Sequence, residues 1–430
     1  VAQLLAPNPA IVDGRRVVAP DLERVDAVLR FDAREQAASG EASIDFLAGD
    51  MAGHPVIDLR QEIEWVRLDG KDLGGDALPK MDLGGGPGAE LRVLDASLEA
   101  GTAHRLEVGY RVGTPDAADS QPLDWVEGGI RFDFWMSDLA PGRYLESWIP
   151  APLVHDRFAL NLEVEILSAD RPHSLIANTA GVDAVSAGTR WRICYPAHFT
   201  ALSPMLVIGP SDLMEIKRTA VSLPGRERSL GVVCGRYLDV DADIAACEAD
   251  IAAWLAYMVA RYGPWVHGDT FWAFLWEPGR GMEYDGATTA SVPALEHEVF
   301  HSWFGRGVKP ARAADGWIDE AWTTWATSSN PDRPRFAALE LGLDEDPVEL
   351  YPRDPWARHT PREAYTDGYR LFAGLAHLFG GADRLRLAMS EWYRVNAGRS
   401  ATTDGLAAHL TAWSGVDVGP WWARYVHGRG

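Results

Sequence analysis

Cysteine is scarce, with three in 430 residues: Cys194, Cys234 and Cys247. An odd number at wide spacing excludes a disulfide framework and a Cys-x-x-Cys ion site. The expectation is reduced, mostly buried thiols in a cytoplasmic protein. Positive charge is also short. There are 40 Lys and Arg against 62 Asp and Glu, a net charge of −22. That balance argues against nucleic acid and anionic membranes as partners and leaves solubility as its ordinary meaning. No apolar run approaches the roughly 20 residues of a membrane span. The opening residues Val1 to Pro7 are too short, and lack the basic flank, for a secretory signal. Repeats and low-complexity segments are absent. What is there is globular in composition, 47% hydrophobic and 24% charged with 18 Trp. The length gives room for two or three domains.

The chain divides by pattern. From about residue 15 to 215 short alternating runs predict strands: Ala27 to Phe31, Glu62 to Leu68, Arg105 to Tyr110, Phe158 to Val164 and Ser174 to Asn178. The patch Gly84-Gly85-Gly86-Pro87-Gly88 reads as a hairpin-like loop, because it lacks the strand–helix setting and the Lys of a phosphate loop. Near residue 217 the pattern changes. Asp243 to Tyr262 is a long amphipathic helix ended by Gly263-Pro264, and Phe271 to Trp276 is a buried strand leading into Gly281-Met282-Glu283-Tyr284. The fold class is therefore α+β, with a β domain over 1–216 and a mainly helical domain over 217–430.

One stretch of the second domain concentrates chemistry. Leu295-Glu296-His297-Glu298-Val299-Phe300-His301 contains His-Glu-x-x-His. On a helix the i and i+4 positions lie one above the other, so His297 and His301 point the same way. Two imidazoles so placed can chelate one zinc ion, and Glu298 can reach a water there as general base. A catalytic zinc site takes three protein ligands and keeps one open position. Glu320 can be the third ligand, since 18 residues separate it from His301, enough to finish one helix, turn and begin another. Pro293 suits the first turn of the histidine helix, Leu295, Val299, Phe300 and Phe304 form its apolar face, and Gly305 and Gly307 end it. Trp317, Ala321, Trp322 and Trp325 then recur at helical spacing until Ser328-Ser329-Asn330-Pro331. Glu320 falls in the first turn of that buried helix, where an unpaired carboxylate is costly. Asp319 beside it either orients a ligand or caps the helix. His359 and His377 have no ligand partner at helical spacing and read as ordinary surface or core histidines.

The spacing of His297, Glu298, His301 and Glu320 resembles the gluzincin metallopeptidases, in particular the M1 family that includes aminopeptidase N and leukotriene A4 hydrolase. Two more motifs stand in the same order. Arg280-Gly281-Met282-Glu283-Tyr284 matches the family's Gly-x-Met-Glu-Asn segment, with Tyr284 where Asn is usual, and Tyr365-Thr366-Asp367-Gly368 matches its Tyr-x-x-Gly element. The resemblance implies a saddle-like all-β domain followed by a thermolysin-like zinc metallopeptidase domain. It implies one zinc ion per chain on His297, His301 and Glu320, with Glu298 as catalytic base. Tyr365 would donate to the oxyanion, and Tyr369, four residues later on the same helix face, is its local rival. Gly281, Met282 and Glu283 would bind substrate, the Glu283 carboxylate facing the ammonium of a peptide with a free N-terminus.

Ser137 to Arg143 is similar to the family segment in which an acidic or amide side chain five residues before an Arg binds the same amine. By that count Asp138 takes the position and Arg143 matches the Arg. A surface turn capped by Asp138 is the equal alternative, and Glu146 is another acidic neighbour. The segment from Ser400 to Trp422 resembles the closing helices of the family's catalytic domain. Larger members continue into a helical domain over the active site, so the expectation is a short form without it. The expected activity is removal of N-terminal residues. The same zinc chemistry in an open cleft would give an endopeptidase or leader-peptide processing enzyme. A noncatalytic peptide-binding scaffold is the other alternative, and an intact Glu298 and Tyr365 argue against it.

Overall fold

Strict alternation of apolar and polar side chains builds the longest strands. In Asp21–Asp32 the buried residues are Leu22, Val25, Ala27, Leu29 and Phe31, and in Ala37–Leu47 they include Ala38, Ala42, Ile44 and Phe46. Each strand thus offers one apolar face to the core. The computed structural model describes residues 6–114, 122–153, 156–186, 188–277, 279–328 and 346–429. The first five residues and the expected helix stop at 329–331 lie outside these. Two units are present: Val1–Ile216 with Gly235–Val240, and Lys217–Cys234 with Asp241–Gly430.

The first unit is built on sheets. Its largest has eight strands in the order Gly181–Ser186, Arg190–Cys194, Ala159–Leu167, Asp21–Asp32, Ala37–Leu47, Ala103–Val112, Glu62–Leu68 and Lys71–Asp72. Only the pairing of Ala159–Leu167 with Asp21–Asp32 is parallel; its neighbours are antiparallel. A five-stranded and a four-stranded sheet complete it. The glycine-rich patch joins the antiparallel strands Lys80–Met81 and Leu91–Val93, with Gly84, Gly85, Gly86 and Gly88 all at positive φ.

The second unit carries a sheet as well as helices. A five-stranded sheet runs in the order Met214–Val221, Leu230–Tyr237, Thr270–Trp276, Ala287–Ser291, Gly281–Tyr284. Its strands are short and rich in β-branched and aromatic residues, without helical periodicity. α+β is the description that holds for the whole chain. The long helix α1 spans Ile244–Arg261, and Asp243 caps it by accepting from the Ala245 and Ala246 N–H groups at 3.0 and 3.1 Å.

The helix with the two histidines, α2, is shorter than its sequence suggests. It spans only Leu295–Phe300, preceded by a 3-10 turn over Val292–Ala294, and His301 is its C-cap. Beyond it the bonds become i→i+3, from the Ser302 N–H to the Val299 carbonyl and from the Trp303 N–H to the Phe300 carbonyl. The next helix, α3, spans Trp317–Thr327 with Asp319 and Glu320 in its first turn.

Aromatic rings lock α2 and α3 together. Tyr262 packs edge-on against Phe300, Phe304 and Trp322, with centroids 5.5, 5.3 and 6.3 Å apart, and Trp322 also meets Phe372 at 5.3 Å. No helix among the described residues is long and apolar enough to cross a membrane. The three cysteines form no disulfide among the described residues; Cys234 and Cys247 are buried, whereas Cys194 is exposed because it closes a strand on an outward-facing position. Trp322 is fully buried, so Trp322→Ala is expected to cost about 3–5 kcal/mol by opening a cavity at this junction. Urea unfolding followed by circular dichroism checks this. An unchanged midpoint would mean that α2 and α3 are held by something else.

Candidate metal centre

The short α2 still brings its histidines together. Their rings lie 4.6 Å apart at 81°, and the His301 backbone φ and ψ of −56° and −19° keep it in register with His297 one turn earlier. α3 supplies what faces them. Glu320 Oε2 lies 3.1 Å from His297 Nε2 and 3.6 Å from His301 Nε2. His297, His301 and Glu320 can each present one ligand atom with all three atoms within 4.8 Å of one another. Two nitrogens and a carboxylate oxygen form a donor set that suits zinc.

The backs of both rings are held by one stripe of α3. Asp319 Oδ1 accepts from His301 Nδ1 at 2.5 Å, and Thr323 Oγ1 is 3.3 Å from the same nitrogen. Thr327 Oγ1 donates to the Thr323 carbonyl at 2.7 Å, so it is an acceptor toward His297 Nδ1 at 3.5 Å. Asp319, Thr323 and Thr327 follow one another at i, i+4 and i+8, one face of the helix. As neutral rings protonated on Nδ1, both imidazoles would aim their Nε2 lone pairs toward Glu320, the arrangement that metal-ligating histidines use.

Charge in this pocket is crowded. Glu283, Glu298, Asp319 and Glu320 are all buried. Burial pushes the Glu320 carboxyl up to about 7, partly offset by His301 and by a hydrogen bond from Tyr365. Burial, reinforced by His301, drives His297 down to about 3. His301 moves the other way. Burial opposes its protonation, but Asp319, Glu283 and Glu320 together raise it well above the ordinary value. The cluster as a whole therefore attracts a cation, and metal binding there is coupled to proton release.

Two glycines make the close packing feasible. A Cβ on Gly281 would stand 2.3 Å from Glu298 Oε1, so the carboxylate of Glu298 lies directly against the backbone of the edge strand Gly281–Tyr284. A Cβ on Gly305, at φ +100°, would overlap Asp319 Oδ2. Buried ion pairs then tie the edge strand to the chain beyond α2. Arg306 Nη2 binds Glu283 Oε1 at 2.6 Å and its Nε reaches the Glu283 carbonyl at 3.4 Å, while Lys309 Nζ binds Asp285 at 2.8 Å. Arg306 holds the Glu283 carboxyl below the usual range although burial works against it.

Of the sequence-predicted residues, the second unit brings together Gly281, Met282, Glu283, His297, Glu298, His301, Glu320 and Tyr365. Glu298, Glu283 and His301 form a second set of polar atoms within 4.8 Å. Tyr365 closes a 3-10 turn, Arg362–Tyr365, and its ring stacks on His297 at 6.4 Å and 21°. Tyr369 does not share its helix face. A break at Thr366 puts Tyr369 in the following helix, Asp367–Leu378, where it belongs to the apolar core. Tyr284 is also buried, its hydroxyl 3.4 Å from Thr289 Oγ1.

Asp138 lies in the first unit, in a turn where the Ser137 N–H donates to the Arg143 carbonyl and the Tyr144 hydroxyl donates to the Asp138 carbonyl. Arg143 lies over the Trp135 ring at 5.4 Å, and Glu146 is buried in a 3-10 turn, Leu145–Ser147. Sequence reasoning missed Arg306, Thr323 and Thr327. The signal for the threonines was their spacing from Asp319. For Arg306 it was an arginine bracketed by Gly305 and Gly307.

No family model matches this sequence, and no curated protein sequence matches it. Solved structures do. A variant of the M1 zinc metallopeptidase from Deinococcus radiodurans bound to a Tyr-Ser-Ala substrate shares 17% identity at a TM-score of 0.68, over 96% of this chain and 95% of that one. Legionella pneumophila aminopeptidase A, in complex with aspartic acid, shares 11% at a TM-score of 0.69, over 95% of this chain and 50% of that one. Native yeast LTA4 hydrolase shares 15% at a TM-score of 0.63, over 95% and 68%. At these identities the shared property is the backbone path from end to end: this chain has the fold of the M1 zinc metallopeptidases.

Proposed function

We propose that this chain is a zinc-dependent metallopeptidase that removes N-terminal residues from peptides. One observation carries the reading. His297 and His301 turn their Nε2 atoms toward Glu320, while Asp319 and Thr327 hold the opposite nitrogens. His297, His301 and Glu320 are the residues that would hold one zinc ion. Zinc bound there supplies a Lewis acid for the scissile carbonyl and makes water a nucleophile near neutral pH.

The remaining work belongs to the chain's own groups. Glu298, pressed against the backbone of Gly281, takes a proton from the attacking water and returns it to the leaving amine. The Tyr365 hydroxyl donates to the carbonyl oxygen as it becomes an oxyanion. Gly281 and Met282, on an edge strand, bind the substrate backbone by strand addition. Glu283 pairs with the substrate ammonium. In this reading residues 1–216 form a saddle-like β domain and 217–430 a thermolysin-like catalytic domain. In this reading the compartment is the cytoplasm, in keeping with a cysteine content of only three.

A peptide mixture with free or acetylated N-termini, incubated with zinc-loaded protein and read by mass spectrometry, tests this. Stepwise loss from free N-termini alone is expected; internal cuts in both sets would instead make it an endopeptidase. In the same assay Glu298→Gln should keep its zinc and lose about 100-fold or more in turnover. Substantial residual hydrolysis would remove Glu298 from the role of base.

A further inference from the structure

Arg306 is a buried guanidinium with four aimed contacts. It is 4% exposed. Its Nη2 takes Glu283 Oε1 at 2.6 Å, its Nε the Glu283 carbonyl at 3.4 Å and its Nη1 the Gly305 carbonyl at 3.2 Å. The same Nη1 lies 3.8 Å from Asp319 Oδ2, and the other oxygen of Asp319 holds His301. A planar fork fixed at several atoms fixes its partners too, in a way an ammonium cannot.

Two consequences follow from the geometry. Glu283 is gripped at both backbone and carboxylate, so its rotamer is set before any ligand arrives, and binding costs less ordering. Through Asp319 the same guanidinium also contacts the residue that orients His301. Arg306 is thus a strut between the carboxylate that would receive a substrate ammonium and the imidazole that would serve the metal.

We propose that Arg306 is a positioning residue for recognition of the substrate's N-terminal amine. It engages one oxygen of Glu283, leaves the other for the ammonium, and fixes the distance from that ammonium to His301, so that the first peptide bond is the one presented for hydrolysis. The inference rests on Glu283 receiving the amine, as proposed above, and concerns a residue outside the metal ligands and the base.

The test is binding of leucinamide and of N-acetyl-leucinamide to the full-length metal-free protein by calorimetry, for wild type, Arg306→Lys and Arg306→Gln. Kinetics on leucine p-nitroanilide with the zinc-loaded forms run alongside. Wild type should bind leucinamide and not its acetylated form. Arg306→Lys, which keeps the charge and loses the fork, should weaken leucinamide binding about tenfold. It should raise KM by a similar factor with little change in kcat, and keep its melting temperature. Arg306→Gln should be weaker still, wherever it folds.

Folded Arg306→Lys binding leucinamide as tightly as wild type would overturn the proposal and leave Arg306 a purely structural ion pair. Equal binding of both amides by wild type would overturn it as well. The peptidase reading fails separately. A protein that hydrolyses nothing yet binds leucinamide in an Arg306-dependent way keeps this inference, whereas one that cuts acetylated peptides and ignores leucinamide keeps the zinc chemistry and loses it.

Discussion

The hydrogen bond from His301 Nδ1 to Asp319, 2.5 Å long and buried from water, is the contact on which the rest of the centre depends. An imidazole has two nitrogens, and only the one without a proton can ligate a metal. Asp319 settles which is which for His301. Thr327 lies 3.5 Å from the corresponding nitrogen of His297, two helical turns further along α3. Glu320 follows Asp319 directly, so the helix that sets that tautomer also delivers the third donor. Neither α2 nor α3 could make the site alone, and the aromatic junction of Tyr262, Phe304 and Trp322 holds the two helices at the distance this requires.

The carboxylates around that bond explain the surroundings. Buried acids are tolerated where cations or hydrogen bonds meet them. Arg306 meets Glu283 and approaches Asp319, while His301 lies among Asp319, Glu283 and Glu320. The loop beyond α2 thereby acts twice: Gly305 gives Asp319 its room and Arg306 fastens the edge strand that carries Glu283 and the Glu298 contact at Gly281. Proximity of base, metal donors and edge strand is a product of packing as much as of the motif.

Much of this was legible in the sequence for plain reasons. Helical periodicity puts positions 297 and 301 on one face whatever the fold, and a carboxylate in the first turn of a tryptophan-rich helix calls for a partner. The glycines around Pro87 announced a hairpin in the same local way. What was not legible depends on distant chain. α2 stops at Phe300 because its following turn is recruited by Val308 and His301 carbonyl bonds. The five-stranded sheet joins segments from residue 214 to 291, beyond any window of local pattern. Thr366 breaks the helix that would have aligned Tyr365 with Tyr369. Arg306 looked like a helix end, since nothing local says that a charged side chain there turns inward to Glu283.

Zinc K-edge absorption spectroscopy of protein loaded with one equivalent of zinc tests the central claim most directly. A single tightly bound ion is expected, with only nitrogen and oxygen at about 2.0–2.2 Å and the outer-shell scattering of two imidazoles. Sulfur at about 2.3 Å, scattering from a different number of imidazoles, or a loosely held ion with water as its main ligand would contradict it.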